Sequence, residues 1–497
     1  MTQKLILGLD IGTSSVRAAL YDLNSEMLPA SLVKNERALE TTEDGGSEID
    51  AEIALRQVVK VIDEALRRPL ARGAEIGYVA PCAFWHSLVG VDTKGNPTTK
   101  VYGWGDTRSG KYVKVIRKRF NEKEVHNRTG ARFHSSFWPA KLLWLRKELP
   151  DAFERTSLWL SFSDFVALRL FGVATTSISM ASGTGIFDLR SCGWDAKLVR
   201  FLGVKPSGLP LISDGPYTFR LVERFRNRWR RLKNAKWFPA IADGAANNIG
   251  AGCVEKSTAA LMIGTSGAMR VVFEGDPPDD IPAGLWCYRI DRSRAIVGGA
   301  LSDGGGLYAL LKDRLQVDLP DDVIANKIAE RGADAHGLTV MPFFAGERST
   351  GYHEDAAGSI VGLHPSHDAI DIMQAAMESV AFRFAEVFDQ INQIAPVKKL
   401  VVSGGALEAS AVWRQIVADV LGHDIAVFRG DEASMRGAVL LALESLGKIE
   451  NIQSVSTETD RTRFHPKCHK IYKAARKRHI KHYDILIRKN EHSGTNG

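Results

Sequence analysis

Apolar runs of strand length, separated by turns rich in glycine and hydroxyl residues, open both halves of the chain. Residues 4–10 (KLILGLD) lead through Gly-Thr-Ser-Ser into a second run at 16–22 (VRAALYD). A polar turn and a third extended run at 27–33 (MLPASLV) follow, so the pattern predicts a β-meander. The second half repeats strand, turn and strand over 257–275 (STAALMIGTSGAMRVVFEG).

Longer segments with helical periodicity follow each meander, for example at 52–70 and 370–394. Their apolar residues recur every three to four positions, as on one face of an α-helix. A chain of 497 residues is also too long for a single core. The pattern therefore predicts an α/β fold of two domains, residues 1–252 and 253–497, with a cleft between them.

Positive charge is concentrated in two segments, 220–236 and 461–490, although the net charge is only +7. The second segment carries apolar residues at helical spacing, so we expect a basic amphipathic tail helix packed on the body. Solvated surface is the interpretation we prefer for both segments, and nucleic-acid binding is the alternative. The residues of the tail helix at this helical spacing, which we expect to face the body, are Ile471, Tyr472, Ala475, His479, Tyr483 and Leu486.

Composition narrows the class of protein further. The apolar fraction is 44%, and no apolar run reaches the roughly 18 residues of a membrane span. The start of the chain is a poor match to a signal peptide, and the five cysteines form no CxxC pair. We expect a cytoplasmic protein, a monomer or a homodimer, with neither nucleic acid nor a membrane as partner.

A similar sequence motif, with Ile-Gly-Thr-Ser in common, occurs twice: DIGTSSVRAAL at 10–20 and MIGTSGAMRVV at 262–272. In such turns backbone N–H groups can converge on an anion, and Thr or Ser hydroxyls add donors. Two of them across a cleft predict that a polyphosphate is held from both sides. Asp10 precedes only the first turn and suits Mg²⁺, whereas Met262 in the second copy does not. A turn-capping role for Asp10 is the alternative.

Asp243 follows the apolar run WFPAIA and precedes a helix-like segment, AANNIGAG. A carboxylate at the end of a strand and the start of a helix stays ionised and can face a cleft. The spacing alone leaves two interpretations open, a general base and a helix N-cap.

These motifs together resemble the FGGY carbohydrate kinases. The resemblance extends over nearly the whole chain and includes the two phosphate motifs, ADGAANNIGAG (242–252) and VVSGGALEASAVWRQIVADVLG (401–422). It implies two duplicated actin-like, ribonuclease-H-like ATPase domains with nucleotide and sugar in the cleft between them. It further implies an ATP-dependent kinase that uses Mg²⁺ and phosphorylates a hydroxyl of a sugar, polyol or sugar acid.

The resemblance also assigns roles to residues. Asp243 is the implied catalytic base and Asp10 the implied metal ligand. The implied phosphate and nucleotide contacts are Gly12, Thr13, Ser14, Gly264, Thr265, Ser266, Gly304, Gly305, Gly404, Gly405 and Ala406. The implied contacts to the acceptor are Asp243 together with His86, Ser87, Trp104, Asp106 and Arg348.

Within the family, the segments FWHSLVGVD (84–92), SMASGTGIFD (179–188) and MPFFAGERSTGY (341–352) most resemble the gluconokinase branch. Gluconate is therefore the expected substrate; xylulose, another ketose and glycerol are the alternatives, followed by a non-kinase actin-like ATPase switch. Arg348 suits an aldonate carboxylate because guanidinium binds carboxylate in bidentate fashion. It could equally pair with Glu347 or another acid within a loop, and His86 could be a buried histidine without a ligand.

Overall fold

The computed structural model describes residues 3–37, 39–69, 74–213, 218–428, 430, 432–452 and 459–488. Strands and helices alternate in both halves, as the pattern predicted. The strands of the first half are β1 (Gln3–Ile11), β2 (Ser15–Tyr21), β3 (Val33–Glu36), β4 (Glu40–Thr41), β5 (Ser47–Ile49), β6 (Ala74–Ala83), β7 (Val89–Val91), β8 (Val101–Tyr102), β9 (Leu158–Leu160), β10 (Thr175–Ser177), β11 (Phe187–Asp188), β12 (Gly193–Trp194), β13 (Leu211–Ser213), β14 (Lys236–Trp237) and β15 (Ile241–Ala242). Its helices are α1 (Ala51–Arg67), α2 (Gly110–Arg119), α3 (Glu122–Thr129), α4 (Trp138–Glu148), α5 (Pro150–Arg155), α6 (Phe162–Phe171), α7 (Ile178–Ser182), α8 (Ala196–Leu202), α9 (Glu223–Arg228) and α10 (Asp243–Gly250).

The second half contains fewer and longer elements. Its strands are β16 (Thr258–Ile263), β17 (Gly267–Glu274), β18 (Trp286–Arg289), β19 (Arg294–Leu301), β20 (Thr339–Met341), β21 (Ser359–Val361), β22 (Lys399–Ser403), β23 (Ile425–Phe428) and β24 (Thr459–Thr462). Its helices are α11 (Gly305–Arg314), α12 (Asp321–Arg331), α13 (Ala369–Ile394), α14 (Gly405–Ala409), α15 (Ala411–Leu421), α16 (Ala433–Ser445) and α17 (Pro466–Tyr483).

Each half is built on one mixed sheet, and the two sheets share a plan. The first has the order β14-β6-β1-β2-β3 with β15 also on β6, and the second has β18-β19-β17-β16-β22-β23-β24. β1 pairs antiparallel with β2 and parallel with β6; β16 likewise pairs antiparallel with β17 and parallel with β22. The duplication that the repeated motif predicted is therefore present in the topology.

Helices cover both faces of the first sheet, so β1 is buried on both sides, as central strands of α/β folds are. Leu7 and Leu9 pack into the cluster that contains the apolar face of α1. Ile6 faces the other way and packs with Met435 and Val439 of α16. A helix of the second half therefore completes the core of the first sheet.

Helices α10 and α16 cross through a reciprocal glycine contact. A Cβ on Gly250 would lie 1.8 Å from the carbonyl oxygen of Ala433, and a Cβ on Gly437 would lie 1.8 Å from that of Ala246. Only glycine at both positions allows the backbones to approach so closely. The symmetry of the contact makes Ala246 and Ala433 equivalent positions in the two halves.

The third predicted strand was misplaced. We predicted an extended run at 27–33, but β3 begins only at Val33. Residues 29–30 form a turn, and Ala30 has a φ of 56°. Before that turn, Met27 forms an isolated antiparallel bridge with Tyr21 and does not belong to a strand.

Both basic segments are attached to the body of the protein. In 220–236, Phe225 and Trp229 are core residues, and Arg228 pairs with Asp63 at 2.6 Å. In the tail, β24 precedes α17, which is shorter than the predicted segment, and residues 489–490 lie outside the described residues. The predicted buried face of the tail is confirmed at Tyr472, Ala475, His479 and Tyr483, but Ile471 is exposed and Leu486 only half-buried. Across the residues described, no helix is both long and apolar enough to cross a membrane.

Candidate active site

Asp10 and Asp243 lie at the carboxyl ends of β1 and β15, two strands that flank β6 in the first sheet. β1 and β15 both pair in parallel with β6, where Cys82 is opposite Asp10 on one side and Ile241 on the other. The chain leaves β15 at Ala242, so Asp243 begins α10 at the same end of the sheet as Asp10, close enough for the two charges to interact. Open α/β sheets bind their ligands at this edge. Two carboxylates from separate sequence motifs are thus neighbours.

Burial raises the pKa of both carboxylates. It raises that of Asp243 to about 6, and the charge of Asp10 contributes to the rise. It also raises the pKa of Asp10, against the opposing charge of Arg17. Asp243 is not an N-cap: Ala242 holds that position, and Oδ1 of Asp243 accepts the N–H of Gly244 at 2.7 Å. Asp243 is partly exposed and mainly ionised at pH 7, as a general base requires.

Arg17 places a positive charge beside Asp10. It is opposite Asp10 in the β1–β2 pair, with Nη2 3.3 Å from Oδ2 of Asp10. Its Nη1 donates to Oε2 of Glu432 at 2.6 Å. Glu432 directly precedes α16 and has a φ of 54°. Arg17 thus connects the carboxylate of the first turn with the second half of the chain.

The first phosphate turn is braced by Arg37. The N–H of Gly12 donates to the carbonyl of Ser15 at 2.9 Å, which closes the hairpin. The Arg37 guanidinium donates to the carbonyls of Gly12 and Thr13, and its backbone N–H donates to that of Ser14. Carbonyl oxygens would repel a phosphate, and here they accept hydrogen bonds from the buried cation Arg37 instead of facing the ligand. Ser14 is exposed and Thr13 half-exposed, so both are accessible to a ligand.

The second phosphate turn, Gly264–Ser266, is in contact with the starts of two helices. The N–H of Gly305 donates to the carbonyl of Gly264 at 2.7 Å, and a Cβ on Gly304 would lie 2.8 Å from the carbonyl oxygen of Ser266. Gly404 has a φ of 95°, and a Cβ there would lie 2.6 Å from the carbonyl oxygen of Ile263. The structure thus brings the predicted nucleotide residues of the second half into one surface: Gly264, Thr265, Ser266, Gly304, Gly305, Gly404, Gly405 and Ala406.

His86 lies at the predicted acceptor side in a strained backbone conformation, with a φ of 67°. Its Nδ1 lies 2.5 Å from the carbonyl oxygen of Gly183, so Nδ1 carries the proton and Nε2 is an acceptor. Burial holds the pKa of His86 well below its ordinary value. Nη2 of Arg348 lies 3.4 Å from Nε2. A neutral histidine and an arginine from opposite halves thus meet at the cleft.

Arg348 does not pair with Glu347, so that alternative is wrong. Glu347 instead pairs with Arg383 and accepts from the hydroxyl of Tyr483. The Arg348 guanidinium stands over the Trp104 ring at 5.3 Å. Among the described residues, no carboxylate forms an ion pair with it, and its Nε has no hydrogen-bond partner.

Ser87 and Asp106 hold the wall of the acceptor side. The hydroxyl of Ser87 accepts the N–H of Phe162 at 3.0 Å. The carboxylate of Asp106 accepts from the N–H of Ser47 and from Arg108. Both are buried, whereas Trp104 is half-exposed. In this structure, therefore, Ser87 and Asp106 position loops, and Trp104 presents a surface.

The site contains two further buried cations, Arg270 and Lys141, which were not predicted from the sequence. Arg270 of β17 is buried, and a Cβ on Gly244 would lie 3.1 Å from its Nε, which places the guanidinium against the start of α10. Lys141 is buried in α4, where Nζ donates to the carbonyls of Ser136 at 2.6 Å and His86 at 3.2 Å. Burial lowers the pKa of Lys141 to about 7. An arginine inside the otherwise apolar strand AMRVVF was a usable signal, whereas nothing distinguished Lys141 from a solvated helix lysine.

Two groups of metal-binding residue types lie apart from these carboxylates: Asp419, His465 and Cys468, and Asp334, His336 and Glu378. Their own hydrogen bonds occupy them. In the second group His336 accepts the N–H of Leu338 on Nδ1 and donates to Glu378 at 3.1 Å. In the first, Asp419 accepts the backbone N–H of His465. Neither group changes the assignment of Asp10 as the candidate metal ligand.

Comparison with known families agrees with this architecture. The model of the N-terminal domain of the FGGY family of carbohydrate kinases matches residues 5–222, and that of its C-terminal domain matches residues 259–446. The chain belongs to the FGGY family. The family and the two-domain α/β fold expected from the sequence are confirmed.

Relatives of this FGGY kinase differ in the substrate that their names give. A gluconokinase of Bacillus subtilis (strain 168) is 27% identical, over 91% of this chain and 89% of its own. A xylulose kinase of Staphylococcus xylosus is 25% identical, over 88% of this chain and 90% of its own. The crystal structure of a gluconate kinase from Lactobacillus acidophilus superposes with a TM-score of 0.89 at 24% identity, covering 97% of this chain and 98% of that one. The activity class is thus carbohydrate kinase, and the relatives leave the substrate open.

Proposed function

We propose that this FGGY kinase transfers the γ-phosphoryl group of ATP to a hydroxyl of an aldonate, with D-gluconate as the first candidate. The position of Asp243 is the observation that carries the kinase chemistry. It lies next to Asp10 and Arg17 on the phosphate side and next to Arg270 on the acceptor side. Its carboxylate is able to take the proton of an attacking hydroxyl, a role typically worth roughly 10²–10⁴-fold in rate.

The two turns would hold the polyphosphate of ATP, with the glycine surface of the second half next to the adenosine. Asp10 would hold Mg²⁺. The residues suit a divalent cation: burial raises the pKa of both carboxylates, the charge of Asp10 raises that of Asp243 further, and a nearby cation would favour the ionised form of each. Bound Mg²⁺ would neutralise charge on the phosphates. Positioning and charge neutralisation are most of what phosphoryl transfer demands of a protein.

The choice of an aldonate rests on charge. The acceptor side contains two buried arginines, Arg270 and Arg348, and the carboxylate that acts on both is Asp243, which is needed as the base. Buried charges are normally paired, so this surplus of cations favours an anionic substrate over a neutral one. The names of the gluconokinase relatives agree with this choice.

A substrate panel tests the proposal. We expect kcat/KM for D-gluconate to exceed that for D-xylulose, other ketoses and glycerol when ADP release is measured with a coupled assay. A clear preference for a neutral acceptor would contradict the gluconate assignment and leave the kinase assignment intact. ADP release that is independent of any acceptor would favour an ATPase switch instead.

A further inference from the structure

We propose that Arg270 and Arg348 together bind the carboxylate of the acceptor, which makes them the residues that select an aldonate over a neutral sugar. This inference rests on the proposed function and identifies the groups behind its specificity. Both arginines come from the second half of the chain, whereas the catalytic base comes from the first.

Both guanidiniums are buried, and each has at least one nitrogen without a hydrogen-bond partner among the described residues. Arg270 is 6% exposed and Arg348 is 9% exposed. Among the described residues, nothing accepts a hydrogen bond from Nε or Nη1 of Arg270 or from Nε of Arg348. An unpaired buried donor is costly, and native structures normally satisfy it. Donors of this kind in a cleft wall indicate a ligand that accepts hydrogen bonds.

The charges lead to the same conclusion. Burial lowers the pKa of Arg270 to about 10, and the positive charge of Arg348 opposes its protonation further, while Asp243 favours it. Burial likewise lowers the pKa of Arg348. Two repelling guanidiniums with one carboxylate nearby leave excess positive charge. A substrate carboxylate would balance it and accept the free N–H groups in bidentate fashion, which a hydroxyl of a neutral sugar cannot do.

The arginines also lie where the carbon chain of an acceptor would be. The charges acting on Asp10 are those of Arg17 and Arg37, so the phosphate side has its own cations. Arg348 contacts His86 and the Trp104 ring, and a Cβ on Gly244 would meet both Arg270 and the ring of Trp85. Tyr288, which is fully buried, supports Trp85 from behind, with its ring centroid 5.1 Å away. The half-exposed ring of Trp104 suits the C–H face of a sugar chain beside a cationic end.

The test compares D-gluconate with D-gluconamide, which has nearly the same shape and no charge. We expect wild-type kcat/KM to favour gluconate by roughly 10²-fold, the order of effect of truncating one side of a buried charge pair. In Arg270→Gln this ratio should fall towards 1, through a loss with gluconate rather than a gain with gluconamide. Arg270→Lys keeps the charge without the planar fork and should lie between the two.

Arg294→Gln is the matched control, because Arg294 is a half-buried arginine of the neighbouring strand β19 that pairs with Asp291 and Glu444. It should leave the ratio unchanged. Calorimetric titration of both compounds without ATP provides a readout independent of turnover, and only gluconate binding should weaken in Arg270→Gln.

Two outcomes would overturn the inference while gluconate remains the substrate. One is an equal loss with both compounds in Arg270→Gln, which would assign Arg270 to the phosphoryl group or to Asp243. The other is a wild-type ratio near 1, which requires no variant to fold. A preference of the wild-type enzyme for xylulose or glycerol over gluconate would instead contradict the proposed function.

Discussion

The two halves of the molecule share a frame but differ at the positions that decide their chemistry. β1 and β16 occupy the same place in their sheets, yet Asp10 is the next-to-last residue of β1 where Met262 is the next-to-last residue of β16. The reciprocal contact of α10 and α16 makes Ala246 and Ala433 equivalent. Three residues before them lie Asp243 in one half and Gly430 in the other.

This difference shows what duplication supplies and what it does not. The repeated frame places two turns and two helix starts around one cleft. Asp10 and Asp243 belong to the first half, and the second half presents glycines that bring its helices onto the turn. A few substitutions on a common backbone thus separate the half that carries the proposed base from the half that we propose faces the nucleotide.

The largest expected effect comes from replacing Asp243, the carboxylate that has a glycine, Gly430, at the equivalent position of the second half. Asp243→Asn keeps the size of the side chain but cannot accept a proton, so kcat should fall by roughly 10²–10⁴-fold with ATP binding nearly intact. In the wild type, activity should decline as pH falls through about 6, where Asp243 takes up a proton. The residual rate of the variant should lack this acid limb. Steady-state kinetics from pH 5 to 8 and nucleotide titration measure both effects.

Asp164→Asn is the control for this variant. Asp164 is another buried carboxylate in the first turn of a helix, α6, and burial raises its pKa to about 7. Its loss should leave the acid limb in place. Activity of Asp243→Asn within a few-fold of wild type would contradict the assignment of the base.

The second expected effect concerns the metal. Asp10→Ala should raise the Mg²⁺ concentration needed for half-maximal rate by roughly 10–100-fold, on the scale of lost metal-site contacts. The positive charge of Arg17, left without Asp10, adds to the loss. Met262→Ala at the equivalent position should leave the Mg²⁺ titration unchanged. Equal shifts in both variants would mean that the two halves do not differ in metal binding.

The smallest expected effect tests the equivalence of the halves directly. Gly250→Ala and Gly437→Ala should each destabilise the protein by about 1–3 kcal/mol, because each methyl group would overlap a carbonyl of the partner helix. The two costs should be similar, since the contact is reciprocal. Gly405→Ala is the control: nothing lies within 4 Å of its Cβ position. Thermal unfolding compares the three, and a Gly437→Ala variant as stable as Gly405→Ala would contradict the helix contact.

Local patterns predicted much of this structure and failed where distant segments meet. Asp10 and Asp243 could each be found because they end apolar strands. The ion pair of Arg17 with Glu432 could not, since nothing local connects residues so far apart in sequence. Arg348 was given Glu347 as an alternative partner because the two are adjacent in the chain, but the long helix α13 brings Arg383 to Glu347 instead. Arg270 could be noticed as a charge in an apolar strand. That its Nε and Nη1 are buried without a hydrogen-bond partner could not be predicted, because this depends on how Gly244 and Trp85 pack around it.

The packing of α16 on the first sheet has a consequence for how the protein is made. Ile6, Ala19 and Cys82 share a core with Met435 and Val439. On the ribosome, the segment that covers this face of the first sheet therefore emerges only after most of the chain has been synthesised. Until then an apolar surface stays open, the kind of exposure that makes large folding intermediates prone to aggregate. The two halves have the same architecture, but the core of the first half is complete only after α16 of the second half has been synthesised.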